Sequence, residues 1–308
     1  MDRIERMKST VKEQKIGPLT VLFGRENGKY PQGNTLVIEG ENNLVMIDPS
    51  LAMVDRKENL PCVDTVLLTH VHEDHVAGLH LFPETMCFAH SEDAQGLRSL
   101  SGMMEMFGYE GPAVPEFEAA LLTNYYYQAR PDVQTFEHGQ VFDFGGVRLK
   151  VLHTPGHTRG HCCFVIEWDG SDERMVVLGD IDLTSFGPYY GDHWSSLIDF
   201  ENSLETLKGI DANWWLTFHH KGLIEGRAEF LSMLENYKGM IDQRERKLLA
   251  FLSEPQSMDQ IVEHQFIYRP GTGGVMVDQI ERRSMKMHLN RLLESGDVTF
   301  SEGHWRTV

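Results

Sequence analysis

The sequence predicts a layered α/β body followed by a small helical C-terminal unit, and three observations carry that fold class. Short apolar runs of strand length alternate with amphipathic helical stretches as far as residue 226. Histidines and aspartates gather where those runs break into loops, the pattern of a rigid scaffold that presents side chains along one edge. Beyond 226 the chain turns to helical patterns and a terminal pair of alternating strands, a winged-helix-like unit. The expected division is 1–226 and 227–308.

Each element follows from its local pattern. LTVLFG, NTLVIEG and NLVMIDP read as strands within residues 19–49, punctuated by Gly24, Gly28, Gly33, Gly40 and the Glu41-Asn42-Asn43 run. DTVLLTH is a compact buried strand that breaks into VHEDHVAGLHLF, where Asp74 and His75 open a helix. Residues 94–130, rich in Met and aromatics (GMMEMFGY, TNYYYQ), read as an apolar helical pair on the body, with a lid or partner-facing surface as the alternative. From 133 strands return: QVFDFGGVRLKVLHTPG is a hairpin about Gly145-Gly146, then HCCFVIEW and RMVVLGD. ENSLETLKGI reads as an amphipathic helix and WWLTFHH as a further strand. In the tail, KLLAFL, SMDQIVEH and VDQIERRSMKMHLNRLLESGD show helical spacing. Ser257 followed by Gln260 is a capping-box signature, and DVTFSEGHWRTV is a hairpin about Ser-Glu-Gly.

Composition bounds the function. The 308 residues carry 46 acidic and 28 basic side chains, a net charge of −18, with 41% hydrophobic and 24% charged residues. That is an ordinary globular composition. The acidic balance argues against broad binding to nucleic acid or anionic membranes, which needs Lys and Arg to neutralise phosphate. No stretch reaches the roughly 18 apolar residues of a membrane span, and the charged start MDRIERMKST lacks the apolar core of a secretory signal. Cys62, Cys87, Cys162 and Cys163 show no CxxC spacing, so a reduced cytoplasmic protein is expected. The unusual count is histidine, 15 in all.

Chemistry concentrates in Thr69-His70-Val71-His72-Glu73-Asp74-His75, an H-x-H-x-D-H run directly after an apolar strand. In extended chain His70 and His72 project to one side and can clasp one ion, while a following helical turn presents Asp74 and His75 to a neighbouring position. Imidazole and carboxylate donors suit zinc, iron or manganese. His157 in TPGHT, Asp180 in VVLGD, and His219 and His220 after WWLTF all lie where a strand gives way to a loop. Asp180 is of the type and position to bridge two ions. Asp48, in MIDPS, lies after another strand.

These residues resemble the metallo-β-lactamase-fold hydrolase superfamily over residues 17–226, with a glyoxalase-II-like cast. The resemblance implies an αββα sandwich and two divalent ions, zinc first, with iron or manganese as alternatives. It implies that His70, His72 and His157 hold the first ion, that Asp74, His75 and the last histidine hold the second, and that Asp180 bridges. The last ligand stays open between His219 and His220. Thr217 as the first motif position selects His219, and the LIEG continuation selects His220. The resemblance also gives Asp48 the role of a carboxylate buttressing the H-x-H loop. His161 and His193 read as neighbouring polar residues, and Tyr189 and Tyr190 as facing substrate or packing their loop.

The expected activity is hydrolysis of a small thioester, ester or lactone by a water that the ions activate, with Asp74 orienting it or accepting its proton. No G-x-S-x-G elbow and no Gly-rich phosphate loop competes. A phosphodiesterase or ribonuclease is the runner-up, resting on Arg282, Arg283, Lys286 and Arg291 in one helical pattern, diluted by Glu281 and Glu294. A one-iron persulfide-dioxygenase-like oxidoreductase and a metal-retaining binding protein complete the set. The expected partner is a small molecule rather than nucleic acid or membrane. The tail is expected to cover the body or to form a homodimer contact.

Overall fold

In the computed structural model, which describes residues 12–308, the first half of the chain winds into one seven-stranded sheet. Its strands are β1 (Glu13–Ile16), β2 (Leu19–Leu22), β3 (Thr35–Glu39), β4 (Leu44–Ile47), β5 (Thr65–Leu67), β6 (Met86–His90) and β7 (Gln134–Phe136), in that spatial order. The first four pair antiparallel and the last three join in parallel. Between them lie α1 (Arg25–Gly28), α2 (Leu51–Asp55), α3 (Ala94–Arg98), α4 (Leu100–Phe107) and α5 (Ala113–Thr123). A second, six-stranded sheet follows from β8 (Val141–Asp143), β9 (Val147–His153), β10 (Cys162–Trp168), β11 (Arg174–Val177), β12 (Trp214–Leu216) and β13 (Leu223–Glu225), with α6 (Leu197–Lys208) before β12. The charged start MDRIERMKST lies outside the described residues.

Period-two burial assembles these parts into the expected αββα sandwich. On β3, Leu36 and Ile38 face the second sheet, while Val37 faces the outer helices. On β10, Cys162, Phe164 and Ile166 enter the same inter-sheet core and Cys163 turns to the other side. Helices α2 to α5 cover the first sheet through Met53, Met103, Met106 and Leu121. Phe200 and Leu204 of α6 cover the second. Two helical layers over two sheets leave the strand ends on one edge free for loops.

The tail is α7 (Arg227–Phe251), β14 (Gln256–Ser257), α8 (Met258–His264), α9 (Val275–Ser295), β15 (Val298–Ser301) and β16 (His304–Thr307), with its strands in a sheet ordered β14-β16-β15. Ser257 and Gln260 form the expected reciprocal cap at the start of α8. Helix α7 is far longer than KLLAFL suggested. Its buried residues Phe230, Leu234, Tyr237, Ile241, Arg244 and Leu248 recur every three or four positions, but Arg244 interrupts the apolar stripe. Trp215 of β12 stacks on Phe230 of α7, with ring centroids 3.4 Å apart. Among the described residues no helix is long and apolar enough to cross a membrane.

Two local expectations are corrected. Asp74 and His75 do not open a helix: they lie in turns that lead to a short 3-10 turn at Leu79–Leu81. The backbone there is drawn to the loop after β4, where Gly78 N donates to Pro49 O at 2.7 Å. Residues 94–130 form three helices rather than a pair. Extended Ser99 separates α3 from α4 and caps α4 by accepting from Gly102 N, and Gly108, at φ +63°, ends it.

Candidate metal centre

Five loops at one edge of the sandwich converge on a single hollow. The loop after β5 carries His70 through His75, that after β9 carries His157, that after β11 carries Asp180, and that after β12 carries His219. The fifth, after β4, carries Asp48. Gly179 fits the turn into Asp180 for a physical reason. Its φ is +55°, and a Cβ there would lie 2.6 Å from His161 Nε2. His161 is buried with that nitrogen accepting from Asp180 N at 3.2 Å, so it steadies the carboxylate's backbone.

The side chains form two donor groups, His70, His72, His157 and Asp180 in one, and Asp74, His75 and His219 in the other, each within 4.8 Å. Asp180 stands between them. Its Oδ2 is 3.2 Å from His157 Nε2 and 3.9 Å from His70 Nε2, and its Oδ1 is 2.9 Å from His75 Nε2 and 3.7 Å from His219 Nε2. Asp74 Oδ2 is 2.9 Å from His219 Nε2. His220 belongs to neither group. Its backbone is left-handed at φ +60° and its ring is only partly covered, whereas His219 is 3% exposed.

The far nitrogens are held in place. His157 Nδ1 donates to Tyr189 O at 3.0 Å, and His219 Nδ1 lies 2.8 Å from the carbonyls of Gly28 and Gln32. Asp48, 1% exposed, accepts from Thr69 N at 2.8 Å and Thr69 Oγ1 at 2.7 Å, and its Oδ2 is 3.0 Å from His75 Nδ1. Asp93, which the sequence did not single out, accepts from Val71 N, Thr158 Oγ1 and Gly160 N, and so joins the H-x-H loop to the His157 loop. Nothing local to Ser-Glu-Asp marks it; its role exists only once the two loops meet.

The donor set fits divalent cations. His70 Nε2 and His72 Nε2 are buried atoms without a hydrogen-bond partner, and such atoms are costly unless something satisfies them. Burial, with neighbouring imidazoles adding, holds His70 and His72 well below the usual histidine range, so they present neutral lone pairs. Burial also opposes a charged His75, but Asp180 and Asp48 outweigh it and lift His75 to about 10. For Asp180 burial is likewise overcome, by His75 and His219, and its carboxyl stays well below the usual range.

A cavity of about 500 Å³ opens on the hollow, with His72, Asp74, His157, Asp180 and His219 at its base. Tyr189 lines it and donates to Asp192 at 3.0 Å, while Tyr190 turns away and packs with its hydroxyl on His288 and Arg244. Asp192 was also unmarked in the sequence; its Oδ2 is 3.4 Å from His72 Nε2. Burial raises Glu73, with Asp74 adding, to about 8, raises Asp182, with Asp180 adding, to about 7, and raises Asp192 to about 6. His193 is exposed and away from both groups.

A family model described as the metallo-beta-lactamase superfamily matches residues 29–220. The chain is similar to an atrochrysone carboxyl ACP thioesterase of Passalora fulva, 27% identical over 205 residues, covering 61% of this chain and 48% of that protein. It is also similar to a hydroxyacylglutathione hydrolase of Francisella philomiragia, 27% identical over 147 residues, covering 46% of this chain and 43% of that one. The chain thus spans about half the length of these curated relatives. A metallo-beta-lactamase family protein from Thermus thermophilus shares the fold, with TM-score 0.67 and 22% identity, over 95% of this chain and 99% of that one.

Proposed function

The chain belongs to the metallo-beta-lactamase superfamily, and from that premise we propose that it is a metal-dependent hydrolase of a small thioester, ester or lactone. One observation carries the reading: two buried groups of imidazole and carboxylate ligand atoms, from His70, His72, His157 and Asp180 and from Asp74, His75 and His219, converge at the base of an accessible cavity. Thioesters stand first because relatives to which the chain is similar are named thioesterase and hydroxyacylglutathione hydrolase. In this reading His70, His72 and His157 would hold one cation and Asp74, His75 and His219 the other, with Asp180 between the two groups. Zinc suits this nitrogen and oxygen set first, with iron or manganese next. Divalent cations held there would lower the pKa of a water and draw electron density from the substrate's carbonyl oxygen.

The chain's own groups supply the rest. Asp74, at the base of the cavity with its Oδ2 2.9 Å from His219 Nε2, orients the attacking water or takes its proton. The water oxygen joins the acyl carbon as the bond to sulfur or oxygen breaks, and the proton passes to the leaving atom. Tyr30 Oη, 3.1 Å from Glu73 Oε1 and 2.7 Å from Tyr125 Oη, lines the cavity as a proton-carrying group beside Asp74. The nuclease alternative is weakened in the tail, where three of the four basic residues that suggested it, Arg282, Arg283 and Arg291, are engaged within the chain. Arg291 pairs with Glu245 and Glu201, Arg282 with Asp259, and Arg283 with the carbonyls of Gly108 and Gly191.

The test is metal content by mass spectrometry on the purified full chain, with thioester, ester, lactone and phosphodiester assays of wild type and Asp180→Asn. About two divalent equivalents, with acyl-ester turnover that falls on the order of a hundredfold in Asp180→Asn, supports the reading. A single iron with oxygen consumption overturns it, as does faster phosphodiester cleavage.

A further inference from the structure

We propose that the cavity beside the candidate metal centre is an acyl chamber that selects a hydrophobic acyl group on an uncharged carrier, and that the C-terminal unit builds part of its wall. The proposal rests on the hydrolase reading of the same site.

One wall begins at a donor residue. Phe107, at the end of α4, stacks on His72 with centroids 4.8 Å apart and planes at 30°. Phe117 of α5 packs on Phe107 at 4.4 Å, and Tyr109 packs on Phe117 at 4.9 Å. An acyl carbon presented to the donor groups therefore has its chain running over aromatic faces. The lining continues with residues of the tail: Tyr268, with Met276, Val277 and Ile280 of α9, and Met276 packs against the same apolar cluster as Phe107 and Phe117. That helix is tied to the first wall. Gln279 exchanges two 2.9 Å hydrogen bonds with the backbone of Glu110, and Arg283 donates to Gly108 O and Gly191 O. A Cβ on Gly191 would lie 2.3 Å from Ile280 Cγ2, so the contact is close. Arg244 of α7 holds the 186–190 loop at the rim by donating to Phe186 O at 2.6 Å, Pro188 O at 2.5 Å and Tyr190 Oη at 2.8 Å.

Charge sets the second half of the specificity. Among the described residues no Lys or Arg lines the cavity, whereas Glu73, Asp182 and Asp192, which belong to neither donor group, do. A carboxylate or phosphate on the leaving group would enter without a basic partner and beside acidic side chains, an unfavourable burial. An apolar chain instead gains from every methylene withdrawn from water. The volume of about 500 Å³ is in the range that takes a ligand of drug size rather than an acetyl group.

The experiment uses the metal-loaded full chain. Hydrolysis is measured for acetyl, hexanoyl and decanoyl thioesters of N-acetylcysteamine and for decanoyl-glutathione. Binding of the uncleavable thioethers S-decyl-N-acetylcysteamine and S-decylglutathione is measured by calorimetry. The expected result is a rise in kcat/KM of at least about tenfold from acetyl to hexanoyl. The neutral decanoyl thioester is favoured at least about tenfold over decanoyl-glutathione, and the thioethers bind in the same order. Met276→Trp, which narrows the chamber, lowers the decanoyl-to-acetyl ratio by about fivefold or more in protein whose melting temperature is retained. A flat dependence on chain length, a preference for the glutathione carrier, or an unchanged ratio in folded Met276→Trp overturns the proposal. If no thioester is cleaved but the thioethers bind in the expected order, the hydrolase reading falls and the chamber stands. Should Met276→Trp not fold, the chain-length series and the two binding constants decide.

Discussion

Asp48 shows how a single side chain can support a candidate metal centre without joining either donor group. Its backbone is left-handed at φ +51°, and its buried carboxylate spans Thr69 and the far nitrogen of His75. Orienting a ligand through its second nitrogen fixes both tautomer and direction. Asp48→Ala is therefore expected to weaken metal binding by about 10- to 100-fold, read by chelator competition, while the folded protein persists. The His219–His220 ambiguity is also resolved at this scale. Neighbouring residues in an irregular loop have no fixed period, so spacing left both open. The carbonyls of Gly28 and Gln32 hold His219 in the hollow, and the left-handed turn at His220 carries the next ring out.

Elements were legible where their burial pattern is simple. Strands β2 to β5 and β10 read directly from apolar runs because they are buried on both faces. Helix α7 was largely missed, because its stripe contains Arg244 and its exposed face is densely charged. The same helix carries a polar clamp. Glu245 accepts from Arg291 of α9 at 2.9 Å and lies 3.2 Å from His288 Nδ1. Burial opposes its charge, yet His288 and Arg291 outweigh burial and hold Glu245 below the usual glutamate range. A depressed carboxyl adds stability above the unfolded pKa, and that stability is lost as pH falls through the folded value. Glu245→Gln should then cost about 1–2 kcal/mol at pH 7, a difference that disappears below the folded pKa when unfolding is followed by urea titration across pH. Trp215→Ala removes the partner of Phe230 and should cost about 3–5 kcal/mol in the same assay.

At the scale of the molecule, one apolar cluster joins what the sequence divides at 226. Trp215 and Ile224 lie before that point, and Phe230, Leu234, Met285 and Trp305 beyond it, all in contact within one core. A chain ending at 226 exposes that face of the second sheet, so we expect it to bind a hydrophobic dye and to lose its cooperative thermal transition, as calorimetry would report. The sequence by itself determined a layered α/β class, the H-x-H-x-D-H run and the strand-end positions of His157 and Asp180, because strand and helix periodicity and ligand spacing are local properties of the chain, while the αββα sandwich came from the family resemblance those residues carry. Only the tertiary structure decided which of two histidines enters the hollow, and that Asp180 faces both donor groups. It alone brought Asp93 and Asp192 to the histidine-bearing loops and brought α9 to the cavity that α5 also lines. Those relations join segments tens to hundreds of residues apart, and they exist only where backbone hydrogen bonds and packing hold the segments together.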